Sequence, residues 1–128
     1  MAILENTLSK EERLFWKRSI DLLFAQGKSF MAYPLRVVYL PVEESAAPAA
    51  VMISVPKKRI KRAVHRNRIK RLVRETYRVR KHSLVKLLSD KNQSLYIAFL
   101  YVGNEVASFP LMESAMDKAI GILNEKIR

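Results

Sequence analysis

Apolar residues recur along this chain in two rhythms, one of three to four residues and one of two, and the switches between them divide it into elements. Over residues 63–81, Ile69, Leu72, Val73, Thr76, Tyr77 and Val79 fall on one arc when projected at about 100° per residue, which predicts a helix with that arc against a core. Neither Gly nor Pro interrupts it, and its Arg, Lys and Leu are good helix formers. Upstream, Ser9 followed three residues later by Glu12 has the spacing of a capping box. That predicts a helix ending before Gly27, with Leu14, Phe15, Ile20, Leu23 and Phe24 as its apolar face, and a frayed stretch over residues 1–8.

Strand patterns lie between and after these helices. Lys28, Ser29 and Phe30 suggest a short strand, and Pro34 opens a second over residues 35–40. Residues 43–48 are expected to form a hairpin-like loop into a third strand, 49–55. In that strand Val51, Ile53 and Val55 share one face, while Ala50, Met52 and Ser54 share the smaller, more polar one. Residues 83–93 are expected to be a turn region whose Leu84, Leu87 and Leu88 pack against the sheet edge. The run 95–102 is the most apolar, so it belongs at the sheet centre, closed by Gly103 and Asn104. From about residue 111 to 127, Met112, Ala115, Met116, Ala119, Ile120 and Leu123 recur at helical spacing, with the methionines as core filler. The sum is an α+β single domain spanning 1–128, with a four-stranded mixed sheet packed with three helices. A length of 128 residues and 49% apolar content suit one core rather than two.

Charge changes the picture. Residues 57–81 read KKRIKRAVHRNRIKRLVRETYRVRK and hold 13 of the 24 Lys and Arg, with Glu75 as the only acid, so this segment carries the whole formal charge of +12. On the predicted helix Asn67, Arg71, Arg74 and Arg78 line up opposite the apolar arc, Arg68 and Lys70 flank them, and Arg66 lies nearer the apolar border. Solvated charged faces normally interleave both signs, whereas like charges in a row repel unless a polyanion neutralises them. Nucleic acid is therefore the expected partner, ahead of a merely solvated face, a membrane surface or an acidic protein.

The run Lys57-Lys58, then Lys61-Arg62-Ala63, Arg66-Asn67-Arg68-Ile69-Lys70-Arg71-Leu72, Arg74-Glu75 and Arg78 closely resembles the signature of the bacterial ribonuclease P protein subunit. It spans about two dozen positions at fixed spacing, and the flanking segments fit the family in order and length. A glycine that some members carry near Lys61 is absent here. The resemblance implies a fold like that of the second domain of a ribosomal small-subunit protein. Its βαβ crossover would be left-handed, against the usual right-handed rule. It also implies contact of Arg62, Arg66, Asn67, Arg68, Lys70, Arg71, Arg74 and Arg78 with a catalytic RNA subunit. A cleft for the single-stranded 5′ leader of precursor tRNA would be lined by Ile20, Phe24 and Ser54, with Lys57, Lys58 and Arg59 at its exit. Ile20 stands where members usually carry an aromatic, so it can pack against a base but not stack on it.

No catalytic constellation stands out. The acids are dispersed, Glu43 and Glu44 sit in the predicted loop, and His65 and His82 both lie in or beside the arginine-rich run. That agrees with a family in which the RNA subunit carries out Mg²⁺-dependent hydrolysis and the protein assists, without an organic cofactor or an obligate protein partner. A ribosomal or RNA-chaperone protein would use the same helix without cleavage, and a stand-alone nuclease would need the acidic cluster that is missing. Cysteine is absent, which excludes disulfides and thiolate metal sites. The N-terminal residues lack a signal-peptide pattern and no stretch reaches eighteen apolar residues, so neither secretion nor membrane insertion is expected. The resemblance implies a bacterial cytoplasmic protein.

Overall fold

Pattern and burial agree most closely in the sheet, where alternate residues of each strand face opposite sides. A computed structural model of the protein describes residues 12–14, 16–43 and 47–128. The element order is α1 (Lys17–Gln26), β1 (Lys28–Ala32), β2 (Leu35–Val42), β3 (Ala49–Ser54), α2 (Ala63–Arg78), α3 (His82–Asp90), β4 (Ser94–Tyr101) and α4 (Phe109–Ile127). The strands are ordered β1-β2-β4-β3, with β1–β2 and β2–β4 antiparallel and β3–β4 parallel. The most apolar strand, β4, is interior as expected.

The inner face carries the main core. Leu35, Val37 and Tyr39 of β2, Val51 of β3 and Leu95, Ile97, Phe99 and Tyr101 of β4 pack there against Ile69, Val73 and Tyr77 of α2, Leu84 and Leu88 of α3, and Met112, Met116 and Leu123 of α4. The outer face carries a smaller cluster in which Leu14 and Leu23 cover Val38, Ala50 and Ala98, with Ile20, Met52, Tyr96 and Leu100 partly buried around it. Two aromatic contacts, Tyr77 on Phe99 and Phe30 on Tyr39, brace the inner layer.

Several expectations need correction. Among the described residues there are four α-helices rather than three, because residues 82–90 form α3, not a turn region; Leu84, Leu87 and Leu88 stand at helical spacing and two of them are fully buried. Helix α1 begins at Lys17 with Trp16 as its N-cap, later than the expected start. Ser9 lies outside the described residues, and Glu12 forms an ion pair with Lys81 while Arg13 bridges to Val51. Leu14 therefore precedes α1, with its N–H bonded to the Val51 carbonyl at 2.7 Å; Phe15 is outside the described residues. Strands β2 and β3 do not form a hairpin, since β4 lies between them. Finally, α2 ends at Arg78, so Val79 leaves the apolar arc and is exposed. Among the described residues no helix is long and apolar enough to cross a membrane.

Candidate nucleic-acid interface

Helix α2 is held by one face and open on the other. Ile69, Val73, Thr76 and Tyr77 are buried. The Thr76 hydroxyl donates back to the Leu72 and Val73 carbonyls, and burial pushes the Tyr77 phenol up. The opposite side presents Arg62, Asn67, Arg68, Arg71 and Arg74, all exposed, with Lys70 and Arg78 half-buried at its borders. Arg62 is the N-cap, without a side-chain capping bond, and the first turn contains no acid. The positive end of the helix dipole thus adds to the basic field instead of being offset.

Not every base in the segment belongs to that open face. Arg66 Nη1 donates to the carbonyls of Ile60 (3.0 Å) and Lys61 (2.7 Å), stapling the passage from β3 into α2. Arg80, just past the end of α2, ties the chain to α4 through Asp117 (2.6 Å) and Glu113 (2.9 Å), which raises its pKa. Lys81, almost fully buried, pairs with Glu12. Arg78 donates through Nε and Nη2 to Glu75 Oε2 at 3.0 and 2.6 Å, and this bond, with the nearby Arg71 and Arg74 charges, holds the Glu75 carboxyl below its usual range. Sequence reasoning missed Arg13, which with Arg74, Glu75 and Arg78 lines a shallow groove between the N-terminal segment and α2. Its isolation in the sequence gave no signal; only the bridge to β3 brings it there.

The outer sheet face supplies the second part of the site. Helix α1 crosses it from the β3 side, where Leu14 meets Val51, over β4, where the Ser19 hydroxyl lies 3.4 Å from the Tyr96 hydroxyl, to β2, where Gly27 abuts Val38 and Tyr39. Beside it runs one row of outward side chains, Ser54, Leu100, Arg36 and Met31, adjacent across β3, β4, β2 and β1, half-buried at Ser54 and Leu100 and exposed at Arg36 and Met31. Ile20 is half-buried and Phe24 is 46% exposed, so Phe24 has an open ring surface. Trp16, at the N-cap of α1, is 68% exposed. Lys57, Lys58 and Arg59 are exposed in the turn after β3, and Arg59 reaches Asn104 Oδ1 at 3.3 Å. The fold thus gathers Ile20, Phe24 and Ser54 on one face and sets Lys57 to Arg59 at the end of its edge strand.

Among the described residues no three His, Cys, Asp or Glu side chains converge as metal ligands. On α2 itself Glu75 is the lone carboxylate, already engaged by Arg78. Glu43 is exposed, and its neighbour Glu44 lies outside the described residues. His65 is exposed in the first turn of α2 and His82 half-buried at the start of α3.

Comparison with known proteins agrees with this architecture. A family model described as Ribonuclease P matches residues 8–123. The ribonuclease P protein component of Porphyromonas gingivalis is 48% identical over 114 residues, covering 88% of this chain and 83% of that protein. That of Chlorobium phaeobacteroides is 38% identical over 117 residues, covering 84% and 80%. Among solved structures, the Staphylococcus aureus RNase P protein superposes with a TM-score of 0.72 at 21% identity, covering 88% of this chain and 95% of that one. The Thermotoga maritima RNase P protein gives 0.60 at 23%, covering 89% and 96%. The chain therefore belongs to the ribonuclease P protein component family.

Proposed function

We propose that this protein serves in a ribonuclease P holoenzyme by binding the catalytic RNA through α2 and the 5′ leader of precursor tRNA over the outer face of the sheet. It thereby assists removal of the leader to form the mature tRNA 5′ end in the bacterial cytoplasm. The observation that carries this reading is the pairing of a helix face whose bases are interrupted by Glu75 alone with an open, partly apolar sheet floor. Arg62, Arg68, Arg71 and Arg74 offer planar donor forks to phosphates of folded RNA, and Asn67 among them both donates and accepts. Phe24 and Ile20 offer apolar surface to unstacked bases, while Ser54, Lys57, Lys58 and Arg59 meet the strand where it approaches the basic helix.

Hydrolysis itself rests with the RNA subunit in this reading. In this reading the Mg²⁺ ions required by the holoenzyme are held by RNA oxygens, and Glu75, the one carboxylate of α2, is bonded to Arg78. The protein's contribution is affinity for leader-bearing substrate over leader-free product, and positive charge that lowers the Mg²⁺ concentration the RNA needs. Phe24→Ala tests the leader assignment. It should weaken binding of precursor tRNA to the holoenzyme by about tenfold, the scale of one lost base–aromatic stack, and leave mature tRNA unchanged. Equal losses for both would overturn the assignment.

A further inference from the structure

The row beside α1 on the outer face contains a charge that the basic helix does not account for. Among the described residues, outward positions of the four strands are Ser29 and Met31, then Arg36, Val38, Leu40 and Val42, then Ser94, Tyr96, Ala98 and Leu100, then Ala50, Met52 and Ser54, and Arg36 is the only ionisable base among them. It sits outside α1's cover. Its register partners are Met31 on β1, 47% exposed, and the half-buried Leu100 on β4. The guanidinium makes one long side-chain bond, Nη2 to Ser29 Oγ at 3.4 Å, and no carboxylate pairs with it among the described residues.

An arginine on a mostly apolar floor needs a reason. Ordinary strand surfaces mix polar residues, but this row is otherwise Ser54, Leu100 and Met31, and Phe24 on α1 keeps an open ring. The row runs along α1, from Ser54 on the side where β3 leads into Lys57–Arg59 and α2, to Met31 at the far edge of the sheet. A single strand that enters beside α2 and follows the wall of α1 therefore passes Ser54 and Leu100 before it reaches Arg36 and, at the edge, Met31.

We propose that Arg36, flanked by Met31 and Leu100, is a distal anchor for single-stranded RNA. It pairs with a phosphate of leader nucleotides farther from the cleavage site than those at Ser54, while the Met31 and Leu100 side chains pack against the sugar or base of the same nucleotide. Arg36 thus sets how much of a long leader is recognised. This inference rests on the leader reading above and extends it to the β1–β2 side of the sheet.

The test is holoenzyme affinity for precursor tRNAs whose leaders are lengthened one nucleotide at a time, with wild type, Arg36→Ala, Arg36→Lys and Phe24→Ala. All substituted positions are exposed or half-exposed, so folding is retained, which circular dichroism checks. Arg36→Ala should match wild type on the shortest leaders and lose only the affinity gained from the later nucleotides. Its salt slope on the longest leader should be shallower by about 0.7, the value for one phosphate contact on a single strand. Arg36→Lys should restore the slope. Identical length profiles for Arg36→Ala and wild type overturn the anchor while leaving the Phe24 assignment standing. A loss independent of leader length, equal on mature tRNA, also overturns it. If affinity does not depend on leader length even in wild type, the leader reading itself falls and the anchor with it.

Discussion

Arg66 separates two roles that a row of arginines conceals. Its Nη1 spans the Ile60 and Lys61 carbonyls at 3.0 and 2.7 Å, just where the chain leaves β3 and, after Pro56 has accepted from Arg59 and Ile60, turns into α2. Ile60 is buried in the main core, so the staple fixes a core residue as well as a helix start. A bond from a charged donor is worth about 1.5–3 kcal/mol; because both share one nitrogen on a half-exposed side chain, about 1–2 kcal/mol for the pair is the reasonable estimate. Arg66→Ala should therefore lower the urea midpoint by roughly 0.5–1 M with an unchanged m value. Arg68→Ala and Arg71→Ala, on exposed positions, should stay within about 0.5 kcal/mol of wild type. The order reverses in RNA binding. Arg68→Ala and Arg71→Ala should each flatten the dependence of log K on log salt by about 0.7–0.9, and Arg66→Ala by less, since its guanidinium is already engaged. If Arg66→Ala unfolds at the same urea concentration as Arg68→Ala, the staple contributes nothing and the division of roles is wrong.

Gly27 closes α1 where the helix end meets the sheet, and a Cβ there would clash with the Leu23 carbonyl oxygen and lie 2.9 Å from Val38 Cγ1. Gly27→Ala should cost about 1–3 kcal/mol in urea unfolding from this close approach alone, and unchanged stability would mean that α1 sits farther from the sheet. Glu75 is ionised at neutral pH, since Arg78 holds its carboxyl below the usual range, and it is the one negative charge on the α2 face. Glu75→Gln should tighten RNA binding by about twofold to fivefold at low salt, measured by filter binding; weaker binding would show that Glu75 orients Arg78 productively instead of opposing the RNA.

Periodicity carried most of the fold because each sheet face and each long helix has a local pattern. Val51 and Ile53 against Ala50, Met52 and Ser54, or Ile69, Val73 and Tyr77 against Asn67, Arg71 and Arg74, declare their faces within a few residues. What could not be read depends on distant partners. Glu12 looks like a capping residue until Lys81, far along the chain, is seen to claim it. The chain between β2 and β3 looks like a hairpin connection because the strand that separates them, β4, comes later. Residues 82–90 are short and flanked by Ser, Asp and Lys, which hid a helix whose stability comes from Leu84 and Leu88 in the core. In the candidate site, the basic helix face was legible from the charge of residues 57–81 together with their helical spacing. The separate tasks of Arg66, Arg80 and Lys81 were not, because carbonyl, carboxylate and phosphate partners all call for the same side chains.

The most direct test of the central claim is cleavage of a precursor tRNA at low Mg²⁺ by a well-folded bacterial ribonuclease P RNA, with the protein, without it, and with the protein alone. Cleavage at the mature 5′ end should appear only when RNA and protein are combined. Failure of the protein to stimulate its cognate RNA, or cleavage by the protein alone, would contradict the account.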